Sequence, residues 1–257
     1  MPPPLAVTLA HARLLAEAVT EGDVTVPSSA SEAYDAQDQL TSLLDTPVVG
    51  WKVGATSEVV QERLGVKAPI AGRVHEKTLL VDGGTVDATA FVHRPGIECE
   101  FALRTKTDLA PGSGRVDVDA ARALVGSVHP ALELVETRYA ANFGVPPALL
   151  VADGSAHAAL IIGAGVDPER AGDLSTAELR LVVDGAQVTS GTGAEVLGDP
   201  YVSLAWLCNH LLARGQGLPA GSIVSTGSCT GIVPSEPDQQ IVTDAGPLGT
   251  VSIHVRG

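Results

Sequence analysis

The sequence lacks the cysteine pairs that would build a disulfide framework or a zinc cluster. Its three cysteines, Cys99, Cys208 and Cys229, are an odd number and contain no Cys-x-x-Cys pair. It also lacks an apolar run near the roughly 20 residues that span a bilayer. The stretch Met1–Leu5 has no basic start followed by an apolar run, as a signal peptide would. We therefore expect a cytoplasmic protein without a membrane partner.

Basic residues and aromatic residues are both scarce. Against 30 acidic residues there are only 16 basic ones, and the formal net charge of −14 opposes nucleic acid or an anionic membrane as a partner. Aromatic side chains make up 3% of the chain, so its core must be built from small aliphatic residues. With 257 residues, of which 45% are hydrophobic, the chain can bury a sizeable core.

Several motifs of common enzyme classes are absent. The seven histidines show neither HExxH nor HxH spacing, which argues against a histidine-rich zinc site. No Gly-x-Ser-x-Gly elbow supports a serine hydrolase, and no GxGxxG motif after a strand supports a nicotinamide or flavin cofactor. The glycine- and hydroxyl-rich turns Ser190–Glu195 and Ser225–Gly231 are not phosphate loops, but their backbone amides could bind a carboxylate.

Two helices are predicted at the start of the chain. Apolar residues recur at helical spacing from Leu5 to Val19 and again from Ala33 to Leu44. The spacing Ser-x-x-Glu makes Ser29 the expected N-cap of the second helix, with Ser31 as the alternative. Pro47 ends this helical part.

Short β-rich runs punctuated by glycine follow Pro47, and helical patterns lie between them. The candidate strands are Val48–Val53, Thr78–Val81, Gly96–Leu103, Leu149–Val151, Leu160–Ile162, Glu178–Val183, Ile223–Ser225 and Val251–Val255. The candidate helices are Ser57–Leu64, Val118–Val125 and Pro200–Arg214. The steady alternation of a parallel α/β sheet is missing, so the fold class is α+β. We expect an N-terminal helical segment, 1–47, packed on a main domain, 48–257, which could together count as one domain.

Glu98 and Glu100 are two carboxylates placed two residues apart among apolar neighbours. In a strand they project from one face, about 7 Å apart along the backbone. Two anions on one protected face need a cation, and an oxygen-rich site suits Mg²⁺ or Mn²⁺. A solvent-facing edge strand is the alternative that this segment alone leaves open.

A third carboxylate occurs in Pro130–Glu136. Glu133 lies among apolar residues and, if buried, requires a partner. Glu136 competes with it, but leads into the polar pair Thr137 and Arg138 and could form a local ion pair. We favour Glu133 as the third ligand of an octahedral site completed by waters, whose positions a chelating substrate would take.

Lys52 is enclosed by Gly50-Trp51 and Val53-Gly54, where a desolvated ammonium could act in proton transfer. On its own, the segment favours a lysine at a strand end with its amine in water. His157 shares the segment 152–157 with a possible charge partner, Asp153.

Taken together, five segments resemble the 2-keto-4-pentenoate hydratase family of the fumarylacetoacetate hydrolase-like superfamily. In chain order they are Gly50–Ser57, Ile97–Ala102, Pro130–Glu133, Ser190–Pro200 and Thr226–Gly227. The resemblance implies a mixed β-sheet roll or sandwich of the fumarylacetoacetate hydrolase C-terminal-domain type with N-terminal helices. It also implies one Mg²⁺ or Mn²⁺ ion, and Glu98, Glu100 and Glu133 match the ligand positions.

The same resemblance assigns further site residues. The family lysine falls on Lys52. Where many relatives carry an aspartate used in proton handling, this chain has Lys77, with His75 and Glu76 beside it, and we assign this group to catalysis. Four further residues are expected to contact the substrate: Ser155, His157, Thr226 and Gly227. Asp153-Gly-Ser-Ala stands where relatives often have Asp-Asn-Ala-Ser, which indicates a different substrate pocket.

The implied activity is hydration of a 2-hydroxy-2,4-dienoate to a 4-hydroxy-2-oxo acid. The resemblance implies that such dienoates and related 2-oxo acids come from the degradation of aromatic compounds. Two alternatives stay open: decarboxylation of a 2-oxo-enedioate of the 4-oxalocrotonate type, and a catalytically silent subunit that binds a partner. The resemblance also implies a homo-oligomer, which could associate with a sister enzyme of the same pathway.

Overall fold

The computed structural model describes residues 4–257, so the first three residues of the Met1–Leu5 prediction lie outside the described residues. The helices are α1 (Leu5–Leu15), α2 (Ala30–Leu43), α3 (Glu58–Leu64), α4 (Val118–Leu124), α5 (Pro147–Ala152), α6 (Pro168–Ala171) and α7 (Pro200–Ala213). The strands are β1 (Val48–Gly54), β2 (Ile70–His75), β3 (Leu79–Leu80), β4 (Gly84–Asp87), β5 (Gly96–Thr105), β6 (Val125–Val135), β7 (His157–Ile162), β8 (Glu178–Val183), β9 (Ala186–Thr192), β10 (Ile223–Ser228), β11 (Val233–Pro234), β12 (Gln239–Asp244) and β13 (Thr250–Arg256).

The strands form two mixed sheets. The larger has the order β2-β1-β10-β5-β6-β7-β3, with β11 also paired to β5, and the smaller has the order β4-β13-β12-β8-β9. Strands β1 and β10 run parallel, and Gly50 makes their close approach possible. A Cβ atom at Gly50 would lie 2.0 Å from the carbonyl oxygen of Ile223 on β10.

Strand β5 separates an apolar face from a polar one. Its side chains at Ile97, Cys99, Phe101 and Leu103 are fully buried in the core that also contains apolar residues of β8, β12 and β13. The alternate side chains, Glu98 and Glu100 among them, therefore point to the other side of the larger sheet. Because β5 is flanked by β10 and β6, the edge-strand alternative for these glutamates is wrong.

The N-terminal helices pack on the rest of the chain through a second apolar cluster. Leu9 of α1 and Leu40 of α2 meet Leu149 of α5 and the buried Tyr139. The chain is α+β, as the sequence predicts, and its sheets are mixed, as the resemblance implies. The division at residue 47 stays a prediction.

The predicted helices are present. Helix α2 begins after Ser29, whose side chain accepts a hydrogen bond from the Glu32 N–H, so Ser29 is the N-cap. Helix α1 ends at Leu15, earlier than the Val19 expected from its pattern. No helix within residues 4–257 has both the length and the apolar character needed to cross a membrane.

One predicted strand is wrong, and several strands were not foreseen. The segment Leu149–Val151 lies inside α5, because Pro147 at the first helical position starts a helix there and three apolar residues cannot define a strand. The most consequential omission is β6, which carries Glu133. Strands β2, β4, β9, β11 and β12 also lie outside the predicted set.

Candidate metal centre

The three predicted carboxylate ligands meet on two neighbouring strands. In the antiparallel pair of β5 and β6, Glu98 lies directly opposite Glu133, and Glu100 follows on the same face of β5. One carboxylate oxygen of each residue lies within 4.8 Å of the other two. Strand register therefore joins residues that are far apart in the chain.

Glu100 is held by the end of β10. The Ser225 hydroxyl donates a hydrogen bond to Glu100 Oε2 at 2.5 Å, and the Gly227 N–H donates to the same oxygen at 3.0 Å. The other oxygen, Oε1, is buried and accepts no hydrogen bond from residues 4–257. A buried carboxylate oxygen without a partner is costly, and a cation at this position would satisfy it.

Glu133 is held from two sides. His157 Nδ1 lies 2.8 Å from Glu133 Oε1, and Lys52 Nζ lies 3.3 Å from Oε2. Because a carboxylate only accepts, Nδ1 carries the proton. His157 Nε2 lies 2.9 Å from the Thr78 hydroxyl, and burial lowers the pKa of His157, so its neutral Nε2 accepts from Thr78. A histidine that fixes a metal-ligating carboxylate in this way orients the ligand.

Lys52 remains an ammonium at this site. Burial on its own lowers the pKa of Lys52, but the attraction of Glu133, Glu98 and Glu100 raises it above its ordinary value. Its Nζ also donates to the Ser155 carbonyl at 3.1 Å. The desolvated lysine is therefore charged and can donate a proton.

Without a cation, the charged forms of Glu98 and Glu100 are destabilised. Burial, together with repulsion from Glu133, raises the pKa of Glu98 to about 7, against the attraction of Lys52. Burial and the other two glutamates raise the pKa of Glu100 well above its usual range. Burial also acts on Glu133, but Lys52 and His157 outweigh it and lower the pKa of Glu133. Three carboxylates, with Glu100 Oε1 and Glu133 Oε2 both buried without a hydrogen-bond partner in residues 4–257, fit a hard divalent ion such as Mg²⁺ or Mn²⁺.

The triad opens into a cavity of about 470 Å³ lined by Lys52, Glu98 and Glu100. Its hydroxyl-bearing walls come from Thr56, Ser57, Ser190, Ser228 and Thr230. Its apolar walls come from Val60, Leu64, Ile70, Val135, Phe143, Leu150 and Ile232. The Ser228 hydroxyl is buried next to the Glu98 carboxylate, where it opposes the rise in the pKa of Glu98, and its residue also lines the cavity.

The structure does not bring the expected catalytic group His75, Glu76 and Lys77 into this cavity. Glu76 and Lys77 are exposed, and Lys77 Nζ donates to the Asp45 carbonyl. The His75 side chain is buried behind β2, where burial and the charge of Arg13 lower its pKa to about 4.

Of the four expected substrate contacts, one lines the cavity and three do not. Ser155 lines the cavity, although its hydroxyl donates to the Ala71 carbonyl. His157, Thr226 and Gly227 lie behind the carboxylates: His157 contacts Glu133, Gly227 contacts Glu100, and the Thr226 hydroxyl donates to the Phe101 carbonyl.

Sequence reasoning did not single out Ser225 or Arg63. Ser225 faces Lys52 across the parallel pair of β1 and β10, a pairing that no local pattern shows. Arg63 lines the cavity from α3, one helical turn after Val60. Its only signal was its place in the predicted helix Ser57–Leu64.

Comparison with known proteins decides the family. Residues 52–256 match the fumarylacetoacetate (FAA) hydrolase C-terminal family, a range that begins at Lys52 and contains all three glutamates. The chain belongs to the fumarylacetoacetate hydrolase family.

Curated members of this family with related sequences carry two kinds of name. A 4-oxalocrotonate decarboxylase of Pseudomonas putida is 37% identical over 206 residues, covering 80% of this chain and 76% of the relative. A 2-hydroxyhexa-2,4-dienoate hydratase of Comamonas testosteroni is 32% identical over 208 residues, covering 80% and 77%. These matches confirm the predicted resemblance, and the chain is a metal-dependent enzyme of the hydratase and decarboxylase group in the fumarylacetoacetate hydrolase family.

A solved structure of a 4-oxalocrotonate decarboxylase from Pseudomonas putida, complexed with magnesium and adipate, has a TM-score of 0.89 to this chain. The two are 32% identical, and the match covers 98% of this chain and 95% of the other. A fumarylpyruvate hydrolase of Pseudomonas aeruginosa with Mn²⁺ and pyruvate, at 14% identity and a TM-score of 0.61, shares the fold. The ions in these family structures support a divalent metal cofactor.

Proposed function

We propose that this chain is a divalent-metal-dependent lyase that decarboxylates a 2-oxo-enedioate of the 4-oxalocrotonate type. The observation that carries the proposal is the triad of the half-buried Glu98 and the buried Glu100 and Glu133, with the Lys52 ammonium beside it, at the inner end of a cavity. When bound to the triad, a Mg²⁺ or Mn²⁺ ion would supply the Lewis acid that polarises the 2-oxo group of such a substrate.

The chain's own side chains bind the substrate and transfer one proton to it. In the proposed reaction the bond between carbons 5 and 6 breaks and carbon dioxide leaves with carbon 6. The electron pair moves through the conjugated chain to the 2-oxygen, which Lys52 Nζ can protonate to give the 2-hydroxydienoate. Ser228, whose hydroxyl lies next to Glu98 in the cavity wall, is placed to orient a polar group of the substrate.

Decarboxylation requires fewer acid–base groups at this site than hydration does. Hydration requires protonation at carbon 5 and delivery of water to carbon 4, and so a second acid–base group near the far end of the substrate. Besides Lys52 and the triad, the described titratable residues lining the cavity are the exposed Glu195 and Arg63 and the buried Cys229, whose thiol pKa is raised by burial. The similarity in sequence and structure to 4-oxalocrotonate decarboxylases supports the same choice.

Hydration of a 2-hydroxy-2,4-dienoate is the second candidate. It is favoured by the relatives named hydratases, of which a 2-keto-4-pentenoate hydratase of Paraburkholderia xenovorans is 30% identical over 206 residues. Both reactions pass through the same conjugated enolate, so the metal site serves either one.

The two reactions are separated by their products. Purified protein with Mg²⁺ or Mn²⁺ is given a 2-oxo-enedioate labelled with ¹³C at carbon 6, and separately a 2-hydroxy-2,4-dienoate, and the products are followed by NMR. We expect labelled carbon dioxide from the first substrate, and we expect a chelator to abolish its release. A 4-hydroxy-2-oxo acid from the second substrate without carbon dioxide from the first would establish hydration instead.

Two variants connect that activity to the site. Glu100→Gln removes one ligand charge and is expected to lower the affinity for Mn²⁺ and the turnover at least 100-fold, while Glu62→Gln on the exposed side of α3 is expected to change neither. Calorimetric titration with the ion measures the affinity. Normal ion binding and turnover by Glu100→Gln would refute the proposed centre.

The compartment, the oligomeric state and the pathway of this enzyme are also proposals. We propose a cytoplasmic homo-oligomer that acts in the degradation of aromatic compounds and could associate with a sister enzyme. The described cysteines are all free thiols, which suits a reducing compartment, and Leu14 and Val81 are 75% and 78% exposed, as side chains covered by a second subunit would be. Light scattering measures the subunit number. Turnover by the isolated chain would rule out a silent partner-binding subunit.

A further inference from the structure

We propose that Arg63 binds the distal carboxylate of the substrate, so that the site selects 2-oxo acids with a second carboxylate at the far end of the carbon chain. This inference rests on the proposed function, because it takes the 2-oxo acid end of the substrate to lie at the triad.

Arg63 belongs to a wall of the cavity formed by one face of α3. Val60, Arg63 and Leu64 all line the cavity, and their spacing of three and four residues puts them on the same side of the helix. The N-cap Ser57 lines it as well. Helix α3 thus presents two apolar side chains and one guanidinium to whatever occupies the cavity.

The positive charge of Arg63 has no counter-charge within the described residues. It takes part in none of their ion pairs or side-chain hydrogen bonds, although Glu195 also lines the cavity. The other cation of the cavity, Lys52, is engaged by Glu133. Arg63 is therefore the free cationic group that a ligand in this cavity meets.

Burial places the two charged ends of the cavity at different depths. Glu100 is fully buried, whereas Arg63 is exposed, so the triad lies at the inner end and Arg63 near the mouth. Ile70, Phe143 and Ile232 are among the apolar walls of the same cavity and suit a carbon chain. A ligand with a chelating 2-oxo acid at one end and a carboxylate at the other matches this order of groups.

The guanidinium would act on binding more than on the chemical step. An arginine forks two N–H groups toward a carboxylate, and near solvent such a pair contributes modestly. Because this carboxylate loses its negative charge as carbon dioxide forms, the pair is stronger in the ground state than in the transition state, and its loss should raise KM without lowering kcat.

The test compares two inert 2-oxo acids that differ only at carbon 6. Both 2-oxohexanedioate and 2-oxohexanoate carry the chelating group, lack the double bond needed for decarboxylation, and are titrated into Mg²⁺-loaded protein by calorimetry. We expect the wild type to bind the dioate roughly 3- to 10-fold more tightly, with an advantage that falls as salt is added. Arg63→Gln should remove the advantage and Arg63→Glu should reverse it.

Two controls make the result specific. Arg170→Gln removes an equal charge from an exposed arginine on the short helix α6, which does not line the cavity, and should leave the preference unchanged. Arg63→Lys keeps the charge and should keep part of the preference, so the proposal stays testable even where the neutral variant folds poorly.

Equal affinity of the wild type for the two acids, or equal losses for both acids in Arg63→Gln, would overturn the inference, as would no binding of the dioate. The reaction is judged separately. A preserved preference for the dioate without release of carbon dioxide would refute the proposed decarboxylation and leave the role of Arg63 standing.

Discussion

At the residue scale, Glu133 has the most restricted surroundings of the three carboxylates. One oxygen is bound by His157, the other faces Lys52, and the side chain is fully buried in the middle of the larger sheet. His157 in turn contacts Thr78. The segment after His75 thus reaches the site through Thr78, which supports Glu133 indirectly, rather than through the side chains expected to move protons.

The support by His157 leads to the prediction that His157→Gln weakens ion binding without preventing folding. An amide can donate one hydrogen bond to Glu133 but cannot keep the same reach and the contact to Thr78, so the affinity for Mn²⁺ should fall roughly 10- to 100-fold. Calorimetry measures it. His11→Gln, at an exposed histidine on α1, is the matched control. Unchanged affinity in His157→Gln would show that Glu133 is oriented without it.

The candidate site was predicted from the sequence to the extent that local chemistry reveals it. Glu98 and Glu100 share a strand, and their alternation with Ile97, Cys99 and Phe101 is visible along the chain. Pairing with Glu133 was reached through apolar context and resemblance, because the register between β5 and β6 is a long-range property. Ser225 was missed for the same reason.

At the element scale, the central position of β5 depends on how closely its neighbours approach. Strand β10 pairs with β5 on one side and with β1 on the other, and so carries Ser225 to Glu100 while bringing Lys52 alongside. Helices α1 to α4 and α7 were predictable from period and capping, and so were six of the longer strands, although not β6. The two-residue strand β11 was not, because two residues carry no period.

The contact between β1 and β10 can be tested at Gly50. A Cβ atom there would lie 2.0 Å from the Ile223 carbonyl oxygen, so Gly50→Ala must push the two strands apart and is expected to lower the free energy of unfolding by about 3 kcal/mol or more. Urea denaturation measures the change. Gly22→Ala, where no atom lies within 4 Å of the new methyl group, should be nearly neutral. Equal stabilities of the two variants would contradict the close approach.

At the scale of the whole molecule, the two sheets share one core, while the N-terminal helices cover a separate cluster on α5. Helix α7 links the larger sheet to this helical layer, since Arg214 just beyond its end bonds Asp35 and Asp38 of α2. His210 lies at this junction, with its ring centroid 4.5 Å from that of Tyr34 and 5.0 Å from that of Trp206.

His210 should make the stability of the fold sensitive to acid. Burial, followed by the charges of Arg214 and Arg73, lowers the pKa of His210 to about 4 against the opposing Asp38, and its Nε2 is buried without a hydrogen-bond partner in residues 4–257. The unfolded chain has a histidine pKa near 6.5. Since the folded state prefers the neutral ring, the contribution of His210 to the free energy of unfolding is fully present above about pH 6.5. It falls as the pH is lowered toward 4.

The comparison that checks this prediction is wild type against His210→Phe, with Mg²⁺ present so that the carboxylates of the metal centre are equally occupied. Phenylalanine keeps the ring between Tyr34 and Trp206 but cannot bind a proton. Unfolding free energies measured between pH 7 and pH 4.5 should decline more steeply in the wild type. Parallel profiles would show that His210 is not titrated on unfolding.

The direct pairing of Glu98 with Glu133 also bears on which changes of length the gene can tolerate. An insertion or deletion of one residue within β5 or β6 would turn carboxylates of that strand toward the apolar core and place an apolar neighbour where a carboxylate had been. The connection between these strands, 106–117 followed by α4, can lengthen or shorten without moving either ligand. Natural length variation compatible with a working metal centre should therefore be confined to such connections, and a frame-preserving mutagenesis library would be depleted of insertions in the two strands.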